Sequence, residues 1–166
     1  MKFTDEYIKF VQSRLNNNLT AEEIFAQVRL LQGGIGVHTE ACELDELYQD
    51  QHSEKEKLKE AGDIAFYLSL CFNYFNVPLN ATTKHHYFPL HEMLVQESVL
   101  LLELLKKFVF QQRKDLEKEI IEKLVLVKTG LFKLFEEEKV VNGNVSKLTK
   151  RYKTSFSVEE SKTRKE

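Results

Sequence analysis

Residues 40–63, EACELDELYQDQHSEKEKLKEAGD, contain the end of one predicted helix, a short polar joint and the start of a second helix. Ser53 and Glu56 have the spacing of a capping box, in which each side chain bonds the backbone N–H of the other residue. The second helix is therefore predicted to start here. Helices joined by only a few residues usually pack as antiparallel neighbours. This stretch predicts a helical hairpin.

Similar signals mark helices before this hairpin. Residues 4–15 carry an apolar stripe at helical spacing, and three asparagines end the pattern. Thr20 and Glu23 form another capping box, which is predicted to open a helix through residue 31. The glycines at residues 33–36 are then predicted to break or kink the chain before a helical segment at residues 37–49.

The rest of the chain carries similar signals for the starts and ends of helices. The helix after Ser53 is expected to run to residue 76, and a loop is expected over residues 77–88. Pro89 suits the first turn of a long helix ending at Arg113. Asp115 is predicted to cap a last long helix that ends near Gly143. Strand-like alternation is absent, so we predict an all-α bundle of five to six helices around an antiparallel four-helix core.

The composition is that of one soluble globular domain. The 166 residues are 42% hydrophobic and 30% charged, which argues against disorder over most of the length. The two cysteines have no CxxC spacing and are expected to be reduced. No apolar run reaches the roughly 20 residues that cross a bilayer, and no signal peptide is visible. We therefore expect a cytoplasmic location and no membrane partner.

Charge is distributed unevenly along the chain. Residues 144–166 carry seven Lys or Arg and three Glu, a net charge of +4. Because the whole chain has a net charge of −2, residues 1–143 have a net charge of −6. This asymmetry predicts a helical body at residues 1–143 with a metal site and a basic C-terminal tail at residues 144–166 that closes over it. The tail is too sparse in cations for a nucleic-acid-binding arm, so no nucleic-acid partner is expected.

Two acidic pairs flank the predicted helix joint. Glu40 and Glu43 share one face of the first helix because they are three residues apart, and Glu60 and Asp63 share one face of the second. Their apolar neighbours place both pairs at the edge of the predicted core, where converging carboxylates would repel one another unless a proton or a cation intervenes. Mg²⁺ or Mn²⁺ suits such oxygen ligands. A solvated charged face is the alternative that spacing alone leaves open.

Gly62 and His38 lie close to these acids in sequence and also have predicted roles. Gly62 lies between the second pair and costs up to about 1 kcal/mol inside a helix, which indicates a close approach to the backbone there. His38 lies on nearly the opposite helix face from Glu40, so it is predicted to be structural rather than a metal ligand.

A weak internal repeat relates the two halves of the chain. Residues 40–47 can be laid over residues 97–104 with an offset of 57. The second copy has Leu100 instead of the second glutamate, and apolar residues near Leu124 and Val127 where the second acidic pair would fall. This indicates two related hairpins of which only the first keeps its carboxylates, although any two amphipathic hairpins show some likeness.

Two separated sets of motifs resemble one known family. Residues 34–44, GIGVHTEACEL, and residues 59–68, KEAGDIAFYL, follow the order ExxE, spacer, ExxD. This order resembles the MazG-like all-α nucleoside triphosphate pyrophosphohydrolases, particularly their phage-type versions, in a superfamily that also holds dimeric dUTPases. The family usually reads EExGD in its second motif, and here Lys59 replaces the first Glu. Residues 144–157, NVSKLTKRYKTSFS, resemble the family tail NxxKLxxRYPxGFS, without its proline-containing turn.

The resemblance implies cleavage of a nucleoside triphosphate between the α and β phosphates. It implies Mg²⁺, with Mn²⁺ as the alternative ion, and either Glu40 or Glu43 as the general base that activates water. The implied metal ligands are Glu40, Glu43, Glu60 and Asp63. The implied phosphate or nucleotide contacts are Lys147, Arg151 and Tyr152. Lys59, which departs from the family motif, is a further candidate cation for phosphate. Ordinary surface cations and a packing aromatic are the alternatives for these last residues.

A second function class also remains open. The degenerate second hairpin and Lys59 would suit a catalytically lapsed helical interaction or regulatory protein, whereas the complete set of four acids in the first hairpin favours an enzyme. Relatives in the resembled family imply a homodimer or a higher homo-oligomer, although two hairpins in one chain could form the four-helix unit internally. The base and sugar of the nucleotide are not predicted.

Overall fold

The computed structural model describes residues 20–83 and 91–152, and these residues form five α-helices. We label them α1 (Ala21–Gln49), α2 (Glu54–Phe75), α3 (His91–Phe110), α4 (Glu117–Leu134) and α5 (Glu137–Arg151), with a 3₁₀ turn at Lys114–Leu116. No strand occurs within these two ranges, which confirms the predicted all-α class. The helix predicted at residues 4–15, Pro89 and the tail beyond residue 152 lie outside the described residues.

Both predicted capping boxes are confirmed at the starts of α1 and α2. The Glu23 backbone N–H donates to Thr20 Oγ1 at 3.2 Å, and Glu23 Oε2 accepts from the Thr20 N–H at 2.8 Å. Ser53 and Glu56 make the same reciprocal bonds at 3.4 and 3.0 Å. These bonds satisfy backbone N–H groups that have no partner inside the helix, so the local sequence fixes where each helix begins.

The sequence predicted a break or a kink at residues 33–36, and the break is wrong because α1 passes through these glycines as one helix. A Cβ atom on Gly36 would lie 2.2 Å from Cγ of Tyr67 in α2, and one on Gly34 would lie 2.4 Å from a methyl carbon of Leu105 in α3. The glycines therefore serve close packing. Their absent side chains let α2 and α3 approach the α1 backbone from two sides.

Both bounds predicted for the last long helix are wrong. Asp115 caps no helix; it lies in the 3₁₀ turn, where its carboxylate accepts two hydrogen bonds from Arg113 at 2.9 and 2.7 Å. α4 ends one residue before Phe135, which has extended backbone angles and a buried side chain. The chain then starts α5, and Gly143 lies inside that helix. The chain bends at Phe135, between α4 and α5. The buried side chains of Phe135 and Val140 hold this bend against the core, and no Gly or Pro marks it in the sequence.

The other helix ends lie close to the predicted positions. α2 ends at Phe75 because Asn76 adopts a left-handed conformation with φ of 52°. α3 ends at Phe110 rather than at the predicted Arg113, and Gln112 after it has φ of 54°. Such differences of a few residues are ordinary at fraying helix termini.

The helices form two hairpins, α1–α2 and α3–α4, in which α1 packs on α3 and α2 packs on α4. Side chains from all four helices fill the space between the hairpins. The fully buried aliphatic residues include Leu30, Leu44, Ile64, Leu101, Leu105, Ile120, Leu124 and Leu131. α5 lies outside this four-helix core and packs on α2. None of the described helices is both long enough and apolar enough to cross a bilayer.

Candidate metal and phosphate site

Three of the four predicted metal ligands meet where α1 faces α2. One carboxylate oxygen from each of Glu40, Glu60 and Asp63 lies within 4.8 Å of the other two, and we call these residues the acidic triad. Glu60 is buried, and the other two are half-buried. Oxygens on opposite sides of a Mg²⁺ ion are about 4.2 Å apart, so small side-chain rotations would bring the triad to ligand distance. The donor set fits a hard divalent cation.

Glu43, the fourth predicted ligand, lies at the exposed edge of the triad and outside that set. Partial burial raises the pKa of the Glu43 carboxyl group, and the negative charge of Glu60 adds to this effect, while the ammonium of Lys59 opposes it. Glu43 is therefore close enough to feel the charge of the triad without belonging to it.

Glu40 carries the largest electrostatic perturbation in the site. Burial raises the pKa of Glu40 to about 7, and the negative charges of Asp63, Glu43 and Glu60 and a hydrogen bond with Glu60 act in the same direction. At neutral pH the Glu40 carboxyl group is therefore protonated in a large fraction of molecules. A shared proton relieves part of the repulsion expected among converging acids.

Two lysines neutralise the other members of the triad. Lys59 Nζ lies 3.1 Å from Glu60 Oε1, and Lys147 Nζ of α5 forms an ion pair with Asp63 Oδ2. The lysine side chains differ in exposure, at 52% for Lys59 and 14% for Lys147. In the absence of a divalent ion, two ammonium groups therefore offset part of the negative charge of the triad.

Asn144 joins α5 to the triad and was not predicted as a site residue. Its Nδ2 donates to Asp63 Oδ1 at 3.1 Å. A Cβ atom on Gly62 would lie 3.1 Å from Asn144 Cβ, so the close approach predicted at Gly62 is made by α5 itself. The sequence carried a signal for this contact, because Asn144, Lys147 and Arg151 are spaced to share one face of a helix.

A strongly basic groove borders the triad. It lies between the start of α2 and the second half of α5, is open to solvent and has a volume of about 730 Å³. We call it the basic groove. Its wall consists of Ser53, Lys55, Glu56, Leu58, Lys59, Gly143, Asn144, Ser146, Lys147, Lys150 and Arg151. Lys59 and Lys147 pair with the triad, and the wall carries three more cations, Lys55, Lys150 and Arg151, against the one carboxylate of Glu56. This surface suits a polyanion, and its volume is that of a small-molecule site.

The predicted phosphate contacts have different positions in this groove. Lys59 and Lys147 line it and also pair with the triad, whereas Arg151 lines it with an exposed side chain. Tyr152 is half-buried at the end of α5, where its backbone N–H donates to the Leu148 carbonyl at 2.9 Å, and it does not line the groove. Lys55 and Lys150 are wall residues that the motif comparison missed.

The second hairpin contains a partly buried ion pair between α3 and α4. Glu97 is the residue laid over Glu40 in the predicted repeat, and Lys123 precedes Leu124, near which the second acidic pair would fall. Lys123 Nζ pairs with Glu97 Oε2, and the two side chains are 19% and 14% exposed. The first hairpin brings three carboxylates together, whereas the second pairs the Glu97 carboxylate with the ammonium of Lys123.

His38 contacts α3. Its Nδ1 lies 3.0 Å from Ser98 Oγ on α3, and Ser98 Oγ donates its hydrogen to the Val95 carbonyl at 2.7 Å. Ser98 therefore accepts from His38 Nδ1–H, which fixes the tautomer of the ring. This contact ties α1 to α3 away from the acidic triad.

Comparisons of the chain with protein-family models, with curated proteins and with solved structures found no match. Membership in the MazG-like superfamily therefore stays a prediction from the motifs.

Proposed function

We propose that this protein is a Mg²⁺-dependent nucleoside triphosphate pyrophosphohydrolase that converts a (d)NTP and water into a (d)NMP and pyrophosphate. The observation that carries the proposal is the contact between two complementary surfaces. The acidic triad suits a divalent cation, the basic groove suits a phosphate chain, and Lys59, Asn144 and Lys147 belong to both. The motif resemblance independently connects the triad and Lys147 with this reaction.

The triad and the groove would have separate roles in this reaction. Glu40, Glu60 and Asp63 would hold the ion, with Asn144 orienting the Asp63 carboxylate. When bound, Mg²⁺ offsets the charge of phosphate oxygens and makes the phosphorus atom a better electrophile. Cations along the groove would position the β and γ phosphates. Water adds to the α phosphorus, the bond from that phosphorus to the bridging oxygen breaks, and the displaced group leaves as pyrophosphate.

Glu43 is the better placed of the two candidate bases. Glu40 belongs to the triad and is occupied by the ion in this arrangement, whereas Glu43 lies at its solvent-facing edge. From this exposed position beside the ion, Glu43 could take the proton of the attacking water.

The proposal is tested by measuring pyrophosphate release from a panel of NTPs and dNTPs with Mg²⁺. The wild-type protein is expected to release pyrophosphate, rather than phosphate, from at least one member of the panel, and Glu60→Gln is expected to abolish this activity. Glu103→Gln is the matched control, since that exposed glutamate pairs with Lys107 on α3 and lies outside the triad. Failure to cleave any nucleotide would reject the enzyme and favour the lapsed interaction protein. Equal activity of Glu60→Gln and wild type would reject the site.

The expected homodimer is a separate proposal. It rests on the family resemblance, and light scattering coupled to size-exclusion chromatography tests it directly. A mass twice that of the 19.5 kDa chain is the expected result.

A further inference from the structure

Lys147 belongs to both halves of the site. Its Nζ is paired with Asp63 Oδ2, and the same side chain forms part of the basic groove wall. The other oxygen of Asp63, Oδ1, accepts a hydrogen bond from Asn144 Nδ2. Both carboxylate oxygens of Asp63 are therefore engaged by α5, one by a cation and one by a neutral amide.

These two partners would respond differently to a divalent ion. An ammonium in contact with the carboxylate that ligates the ion is repelled by it at short range, and little solvent screens the pair because the Lys147 and Asp63 side chains are only 14% and 20% exposed. The neutral amide of Asn144 suffers no such repulsion and can keep Asp63 oriented. A lysine on its flexible stem can turn into the groove, where Lys150 and Arg151 line the wall.

We propose that Lys147 is an exchangeable cation: it leaves Asp63 when the divalent ion binds and then contacts a substrate phosphate in the basic groove. Asn144 stays on Asp63 as a positioning residue. This inference rests on the proposed function and adds that the ion and the phosphate chain bind with positive coupling through one side chain. By thermodynamic reciprocity, each ligand raises the affinity for the other. The protein without its ion holds Lys147 away from phosphate.

The first test measures Mn²⁺ alone by isothermal titration calorimetry, in the absence of nucleotide. Lys147→Met is expected to bind Mn²⁺ at least about fivefold more tightly than wild type, since the ion no longer displaces a competing ammonium. Lys150→Met is the matched control, because it removes the same charge from the same helix and groove without touching Asp63. It is expected to stay within about twofold of wild type. Equal Mn²⁺ affinity of Lys147→Met and Lys150→Met would overturn the exchange.

The second test needs no divalent ion and uses inorganic tripolyphosphate in the presence of EDTA. Asp63→Asn keeps the shape of the side chain but releases Lys147, so it is expected to bind tripolyphosphate at least about fivefold more tightly than wild type. Asp63→Asn is expected to give no gain when it is added to Lys147→Met, whereas it is expected to give most of its gain when it is added to Lys150→Met, each double variant being compared with its own single lysine variant. A gain that survives Lys147→Met would arise from net charge alone and would contradict the proposal.

The two tests separate this inference from the proposed function. Mn²⁺ binding by wild type with no effect specific to Lys147 would reject the exchange and leave the metal site standing. Absence of Mn²⁺ binding by every variant would reject both. Circular dichroism confirms that each variant is helical, and Lys147→Gln replaces Lys147→Met if the methionine variant does not fold.

Discussion

Glycines determine how closely several helices of this protein approach one another. At Gly36 and Gly34 the absence of a side chain allows Tyr67 and Leu105 to touch the α1 backbone, and at Gly62 it allows Asn144 to reach Asp63. Gly143 differs from these, since a Cβ atom there would meet nothing within 4 Å. The same residue type therefore has opposite consequences at different places in the chain.

This contrast predicts opposite effects of two glycine substitutions. Gly36→Ala is expected to lower the free energy of unfolding by about 1–3 kcal/mol, because the new methyl group overlaps the Tyr67 ring at its attachment point. Gly143→Ala is expected to raise it by up to about 1 kcal/mol, because alanine is the better helix former. Urea denaturation of both variants gives the comparison. Equal effects of the two changes would show that the α1–α2 contact is looser than described.

A second prediction at the residue scale separates Glu40 from Glu43. Glu40→Gln is expected to weaken Mn²⁺ binding at least about tenfold, because it removes a charged member of the acidic triad. Glu43→Gln is expected to leave Mn²⁺ affinity within a few-fold of wild type and to lower kcat by about 10²–10⁴, as loss of a general base does. Calorimetry and steady-state kinetics measure the two quantities. The reverse pattern would exchange the two roles.

At the scale of elements, α5 is the helix that connects the core to the site. Its one buried residue is Val140, and its contacts with the triad are the polar groups of Asn144 and Lys147. Its first turn leads in from Phe135, which is itself buried. A short helix held by so few apolar contacts has a lower local stability than the four core helices.

Weakening that apolar anchor is expected to loosen α5 selectively. Val140→Ala should reduce stability by about 1–3 kcal/mol and speed the exchange of α5 amide hydrogens, while α1 and α3 stay protected. Val145→Ala on the same helix is the control, since that side chain is 56% exposed and its loss should cost almost nothing. Hydrogen exchange followed by mass spectrometry resolves the helices. Uniformly faster exchange throughout the chain would mean that α5 unfolds only with the core.

Elements also show which parts of the fold the sequence could predict. Thr20 and Ser53 each had a side chain whose bonding partner lies three residues away, so their helix starts followed from local chemistry. The glycines of α1 misled the prediction because their reason lies in Tyr67 and Leu105, far along the chain. The bend at Phe135 was missed because no Gly or Pro marks it.

The site was predictable to a similar extent. Spacing of three residues placed each acidic pair on one helix face, and the short joint brought the two faces together. Spacing could not tell that Glu43 would lie outside the triad, since that depends on the rotation of α1 against α2. The part that Asn144 plays depends on where α5 packs, and α5 itself was not predicted as a separate helix that includes Lys147.

At the scale of the whole molecule, the stability of the protein should depend on pH through the triad. The pKa of Glu40 is about 7 in the folded state and near 4.5 when unfolded. Below pH 4.5 the Glu40 carboxyl group is protonated in both states and does not change the free energy of unfolding. As the pH rises from 4.5 through 7 the unfolded state loses its proton first, so the folded state loses stability.

The melting temperature of wild type without divalent ions is therefore expected to fall by a few degrees between pH 5 and pH 8 relative to that of Glu40→Gln. Mg²⁺ should offset the loss at pH 8, because the ion binds the ionised carboxylates. Differential scanning calorimetry of both proteins with and without Mg²⁺ measures this. Parallel pH profiles for the two proteins would show that Glu40 is not the group responsible.

The most direct measurement is a crystal structure of the protein grown with Mn²⁺ and a nucleoside triphosphate analogue whose α–β bridge resists hydrolysis. The anomalous signal of Mn²⁺ is predicted among Glu40, Glu60 and Asp63, with the phosphate chain running along the basic groove past Lys147 and Arg151. An anomalous peak elsewhere, or an analogue bound away from this groove, would contradict the assignment of this site.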